Sequence, residues 1–147
     1  MKGLIQRVSE ASITVDGGQI AAIGSGLLLL LGIERGDGKS HVAALCRKIL
    51  AYRVFPDDQG KMNKSLMDTN GSLLIVPQFT LAADTSSGTR PGFSPAAEPD
   101  EAQKLYQLFI REARSVLGLN QVAEGQFGAD MKVQLINDGP VTFMLHQ

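Results

Sequence analysis

Apolar and polar positions alternate from the start of the chain. Leu4–Val8 and Ala11–Val15 read as two short strands, and Ser12-Ile13-Thr14-Val15 has the β-branched alternation of a half-buried strand. Asp16-Gly17-Gly18 supplies a hairpin turn, because glycine accepts the positive φ such a turn requires, and Gln19–Ile23 returns as the partner strand. Leu27–Ile33 is apolar throughout and too short for a typical helix, which predicts a central strand buried on both faces.

The period then changes. Val42, Leu45, Cys46, Ile49 and Leu50 recur at helical spacing, which places them on one face of a first helix, with Asp37 or Ser40 as its N-cap. Tyr52–Phe55 reads as a short strand closed by the turn Pro56–Gly60. Asn70-Gly71 is a further turn, and Ser72–Val76 is a strand leading into Pro77-Gln78-Phe79-Thr80-Leu81. Ala82–Pro99 is rich in Ser, Thr, Gly and Pro; a loop of that length in a compact domain is often functional. Pro99 suits the first position of a second helix, with Asp100 and Glu101 near its positive end. Ala102, Leu105, Tyr106, Phe109, Ala113, Val116 and Leu117 form that helix's apolar face, and Gly118 ends it. Met131–Ile136 and Val141–Leu145 are the last two strands. The elements predict an α/β fold, a mixed, largely antiparallel sheet with two outer helices, in a single domain over residues 1–147.

Composition narrows the function more than the fold. The formal net charge is −1 and the sequence pI is about 6.1, which argues against a long electrostatic footprint on duplex nucleic acid. Cys46 is the only cysteine, so no intrachain disulfide can form; its apolar stripe predicts a buried, unreactive thiol. The apolar run Gly26–Ile33 is far too short to span a bilayer, and the first residues turn polar at once, without a signal-peptide core. The expectation is a cytoplasmic protein with no membrane association.

The usual catalytic equipment is missing. His41 and His146 are the only histidines, and neither has metal-ligand spacing or triad partners; both read as surface residues. Gly24-Ser25-Gly26 precedes a strand rather than a helix, which makes a poor phosphate cradle. No metal and no cofactor is expected. Two segments stand out. Gln78-Phe79-Thr80 ends an apolar strand and opens the long loop. Asn137-Asp138-Gly139-Pro140-Val141-Thr142 lies between two strands and by itself reads as a tight turn.

Both segments belong to a longer series of ordered matches. Leu4-Ile5-Gln6-Arg7-Val8, Ala11 to Gly17, Gly26-Leu27-Leu28, Phe55-Pro56-Asp57, Gly60-Lys61-Met62-Asn63, Gln78 to Leu81, Ala83-Asp84-Thr85, Arg90-Pro91, Phe127 to Met131 and Asn137 to Thr142 follow one another along nearly the whole chain. In these the chain resembles the D-aminoacyl-tRNA deacylases. The resemblance implies a barrel-like curl of the sheet. It implies a hydrolase that releases D-amino acids from tRNA as a proofreading step, with glycine on the wrong tRNA also removed, because a steric gate has no side chain to exclude there.

The resemblance also distributes roles. It implies a homodimer in which Gly139-Pro140 of one subunit, joined by a cis bond, completes the site of the other. A cis X–Pro bond costs only about 0.5–1 kcal/mol relative to trans, so a fold can hold it. The two carbonyls would capture the substrate α-amino group and fill the space of an L side chain. Arg7, Asn137 and Thr142 would support the dipeptide. Gln78, Phe79 and Thr80 would form the catalytic wall, with the Phe79 amide stabilising charge on the ester carbonyl. Thr80 is the one hydroxyl in that motif; no base is evident to activate it, which favours positioning over nucleophilic attack. The tRNA 3′ end is the expected partner, with Lys61, Lys64 and Arg90 as candidate phosphate contacts. Pro77 stands where the family's first motif usually has serine, so neither a hydroxyl nor an N–H is present there. That departure supports an alternative reading, a catalytically inert RNA-binding module that keeps the fold. A plain structural dimer is the third.

Overall fold

The computed structural model describes residues 1–147. β1 spans Lys2–Val15 as one strand where the sequence predicts two. Its pairing with the last strand shifts register on both sides of Val8, and Ser9 and Glu10 are exposed there. These bulges turn the strand over: Ile5 joins the larger core, whereas Val8, Ala11 and Ile13 join a smaller one. The polar pair therefore marks a bend, not an end. β2, Gly18–Ile23, returns antiparallel through a turn with Asp16 at φ 50 and Gly17 at φ 80, as expected. β3, Gly26–Gly32, is buried on both faces: Leu27, Leu29 and Leu31 enter the larger core and Leu28 the smaller. Burying each such leucine contributes about 1.5–3 kcal/mol.

α1 covers Lys39–Leu50, and its N-cap is Gly38 rather than Asp37 or Ser40. The Asp37 carboxylate is engaged elsewhere, accepting from the Met1 amino group and the Glu34 amide, each at 2.7 Å. His41 is not a bystander: its Nδ1 accepts from the Gly38 amide at 3.0 Å and closes the helix start. The predicted strand Tyr52–Phe55 shrinks to its end, because Phe55–Pro56 (β4) pairs only with Met62–Lys64 (β5). Arg53 bonds to Asn63 instead, and Tyr52 packs edge-on against Phe143. A one-turn helix, α2 at Leu66–Thr69, adds a third helix; Ser65 and Asp68 cap it reciprocally.

β6, Ser72–Pro77, runs parallel to β3, and β7, Val122–Glu124, runs parallel to β6. α3 spans Pro99–Leu117, with Pro99 in its first turn and Gly118 as C-cap, as predicted. β8, Lys132–His146, is one long strand rather than two and pairs antiparallel with β1. The sheet order is β2-β1-β3-β6-β7, with β8 also on β1. The backbone of β2 comes within 8 Å of β6 and β7, so the sheet curls around the smaller core. α1 and α3 cover the larger core from outside. The mixed, largely antiparallel, barrel-like sheet is as expected. No helix is long and apolar enough to cross a membrane.

Candidate active site

The parallel pair β3–β6 delivers the first motif. The Gln78 amide donates to the Leu31 carbonyl at 2.8 Å, and the chain then turns into a 3-10 helix over Phe79–Ala82. The amides of Phe79 and Thr80 lie in the first turn of that helix and have no acceptor within the chain. Gln78 Nε2 donates to Thr80 Oγ1 at 2.6 Å. Phe79 is 59 % exposed and packs at 5.1 Å against Phe93, which is 43 % exposed. Through Phe93 the loop that carries Arg90 is docked on the motif; the same loop is pinned by paired Asp84 and Gly92 backbones.

Behind Phe79 opens a cavity of about 510 Å³. Pro77, Gln78 and Phe79 form one wall, Phe127 to Met131 the other, and Ala96, Ala97 and Pro99 of the long loop a third. The lining is mainly apolar, with Gln78 and Asp130 as its polar side chains. The end of the long loop Ala82–Pro99 thus reaches the cavity.

The second motif lies elsewhere in the same chain. Val8 pairs with Asn137 and Gln6 with Thr142, so Asp138–Val141 bulge outward opposite Arg7 alone. The Gly139-Pro140 bond is cis, as expected. Gly139 has φ +137, and a Cβ there would lie 2.6 Å from Val141 Cγ2 and 2.9 Å from its amide nitrogen. Only glycine fits. Arg7, 13 % exposed at its side chain, donates from Nε to the Asp138 carbonyl at 3.0 Å and from Nη1 to the Val54 carbonyl at 2.7 Å. Asn137 Nδ2 donates to the Arg7 carbonyl at 2.9 Å and the Val141 carbonyl at 3.2 Å. The Thr142 hydroxyl donates to Asn137 Oδ1 and accepts from Gln6 Nε2, each at 3.3 Å. Arg7, Asn137 and Thr142 therefore fasten the bulge at both ends.

The two motifs do not meet within one chain. Arg7 pairs with Leu27 at one end of β3, and Pro77 pairs with Leu31 at the other. Four residues along a strand is on the order of 13 Å. Residues 4–146 match the family profile described as D-Tyr-tRNA(Tyr) deacylase. The chain belongs to that family.

A D-aminoacyl-tRNA deacylase of Marinobacter nauticus is 68% identical over 145 residues, covering 99% of this chain and 93% of the relative. One from Pectobacterium atrosepticum is 54% identical, covering 99% of each. Among solved structures, a c-Myc DNA Unwinding Element Binding Protein superposes with TM-score 0.96 at 42% identity, covering 100% of this chain and 99% of that one. A probable eukaryotic D-amino acid tRNA deacylase superposes with TM-score 0.82 at 17% identity over 98% and 97% of the chains, which speaks for the fold.

Of the basic residues named as phosphate contacts in this deacylase-family chain, Lys64 is paired with Asp58 at 2.9 Å, while Lys61 and Arg90 are exposed. The second cavity wall had no predicted role. Phe127-Gly128-Ala129-Asp130-Met131 was visible as a family match, yet nothing in its spacing tells that it faces Gln78 across a cavity.

Proposed function

We propose that this chain hydrolyses the ester of D-aminoacyl-tRNA at a site shared between two subunits, releasing free D-amino acid and tRNA. The observation that carries the reading is the unpartnered Phe79 amide beside an apolar cavity large enough for a terminal nucleoside. Water attacks the ester carbonyl carbon, and the Phe79 N–H holds the oxygen as negative charge develops. The vicinal ribose hydroxyl of the substrate assists the water, and the ribose oxygen leaves. An aminoacyl ester is already activated, so orientation supplies much of the catalysis and neither a metal nor a histidine base is required.

Thr80 orients rather than attacks. Its oxygen already accepts a hydrogen bond from Gln78, and no carboxylate or imidazole bonds to it. The Gly139 and Pro140 carbonyls of the partner bind the α-amino group and occupy the volume of an L side chain, whereas glycine passes. The separation of the two motifs along β3 supports a shared site. The outer edge of β8 fits the interface: it is long, unpaired, and exposes Ile136, Phe143 and Met144. The place of action is the cytoplasm, where aminoacyl-tRNA is made and used.

Subunit mixing tests this reading against an inert RNA-binding module. Gln78→Ala and Gly139→Ala homodimers should each be inactive on D-tyrosyl-tRNA. Random re-pairing of the two should restore about one quarter of the wild-type sites, since half the dimers are mixed and each holds one intact site. Hydrolysis of D-tyrosyl-tRNA but not L-tyrosyl-tRNA by the wild type is expected; binding of both without turnover would sink the enzyme reading. No recovery on mixing would sink the shared site.

A further inference from the structure

Tyr106 of α3 is 0 % exposed, and its hydroxyl lies within hydrogen-bond distance of two carbonyl oxygens: Ile75 at 3.0 Å and Gly125 at 2.9 Å. Burial raises the phenol above its ordinary range, so the hydroxyl stays a neutral donor. The two acceptors are not equivalent. Ile75 also accepts from the Gly125 amide at 2.8 Å, whereas the Gly125 carbonyl has no other donor within the chain.

Strand register gives the reason. β6 and β7 run parallel with Ile75 opposite Glu124. In a parallel ladder, alternate residues bond to the same neighbour, so the next amide from β6 toward this side belongs to residue 77 and its acceptor is the Gly125 carbonyl. Pro77 has no N–H to give. The ladder stops one bond short, and the Tyr106 hydroxyl fills the vacant position.

Both ends of this clamp lead directly into the cavity. Pro77, Gln78 and Phe79 follow Ile75 on one wall, and Phe127 follows Gly125 on the other. The Tyr106 ring also packs against Phe127, with centroids 6.0 Å apart. We propose that Tyr106 is a positioning residue for deacylation, whose hydroxyl replaces the amide missing at Pro77 and sets the spacing of the two cavity walls. Its effect on catalysis rests on the cavity being the substrate site, as proposed above.

The test compares Tyr106→Phe, Pro77→Ser and the double variant in the full chain. Two readouts are needed: hydrogen exchange of the 125–131 segment by mass spectrometry, and KM and kcat on D-tyrosyl-tRNA. Tyr106→Phe should speed exchange about tenfold and raise KM about tenfold with kcat within about twofold, the scale of one buried carbonyl losing its donor. In the Pro77→Ser background the amide of residue 77 can reach Gly125, so adding Tyr106→Phe should cost no more than about threefold, a coupling that contacting residues show and independent ones do not. Unchanged exchange in Tyr106→Phe, or the same loss in both backgrounds, overturns the inference. Faster exchange with unchanged KM supports the clamp and overturns the cavity as substrate site instead. Should Tyr106→Phe fail to fold, recovery of folding by Pro77→Ser supports the clamp, and continued failure overturns it.

Discussion

Removing Arg7 is the sharpest single perturbation of the proposed chiral gate. Its guanidinium spans two carbonyls, Asp138 at 3.0 Å and Val54 at 2.7 Å. Hydrogen bonds to a charged group contribute about 1.5–3 kcal/mol each. The additional ion pair to the Asp138 carboxylate, 3.3 Å away on a side chain 58 % exposed, adds little, because solvent screens it. Arg7→Ala admits water to both carbonyls, so the lower end of the range applies: about 3 kcal/mol for the two bonds together. If all of that energy holds Asp138-Gly139 in place, kcat/KM for D-tyrosyl-tRNA falls on the order of 100-fold, at about 1.4 kcal/mol per factor of ten. The melting temperature falls by roughly 6–12 °C if it is expressed in folding, so kinetics are measured well below that transition. Arg7→Lys should recover only part of the loss, because an ammonium lacks the planar fork that reaches two acceptors at once. The assay is hydrolysis of D- and L-tyrosyl-tRNA side by side; the D-to-L ratio should fall along with the D rate. A kcat/KM within twofold of wild type, with the D-to-L ratio unchanged, would refute the idea that Arg7 holds the gate.

Three further outcomes are expected. Gly139→Ala places a Cβ 2.6 Å from Val141 Cγ2 at a backbone angle alanine rarely adopts; it should abolish D-tyrosyl-tRNA hydrolysis while circular dichroism still reports a folded chain, and retained activity would show that the bulge tolerates rearrangement. Thr80→Ala should keep activity within about tenfold, the scale of one hydrogen bond, whereas total loss with an intact fold would make Thr80 the nucleophile. Burial, with the nearby Glu112 carboxylate, pushes the Cys46 thiol up to about 12, so at pH 8 it is overwhelmingly protonated. It should react with a thiol reagent only after denaturant is added; rapid labelling of the native protein would contradict the packing of α1.

Periodicity made the elements legible where burial is one-sided or complete. The leucines of β3, the α1 stripe and the Pro99-to-Gly118 extent of α3 all lie where the pattern puts them. It failed where one strand serves two cores. Ser9-Glu10 and Asn137–Thr142 look like breaks between strands, yet β1 and β8 run through them, because a bulge interrupts side-chain alternation without ending the ladder. It also failed at Tyr52–Phe55, where Arg53 bonds to Asn63 and only Phe55 enters a ladder, and at α2, which is too short for a period. The site was legible only as motif and resemblance. Arg7 reads as a surface arginine until the Asp138 and Val54 carbonyls are placed around it. Tyr106 reads as one more apolar-face residue, because the carbonyls it bonds are distant in sequence and backbone groups leave no trace in side-chain patterns.

The same limitation explains why this chain carries so little recognisable catalytic chemistry. In the mechanism proposed above the acting groups are peptide carbonyls and an amide, which every sequence possesses. What the sequence must supply is their immobilisation, and the structure shows two different solutions. The bulge is held by side chains that reach in from neighbouring positions of β1 and β8: Arg7, Gln6, Asn137 and Thr142. The cavity walls are held by the register of a parallel ladder and, where Pro77 interrupts it, by a buried phenol from the covering helix. A group fixed in this way loses little by reorganising when charge develops on the substrate, which is the condition under which a single amide can stabilise it. On the proposed mechanism chirality is read by volume rather than by affinity: an L side chain would meet rigid backbone whose displacement would break several hydrogen bonds together, while a hydrogen atom in that position would meet nothing.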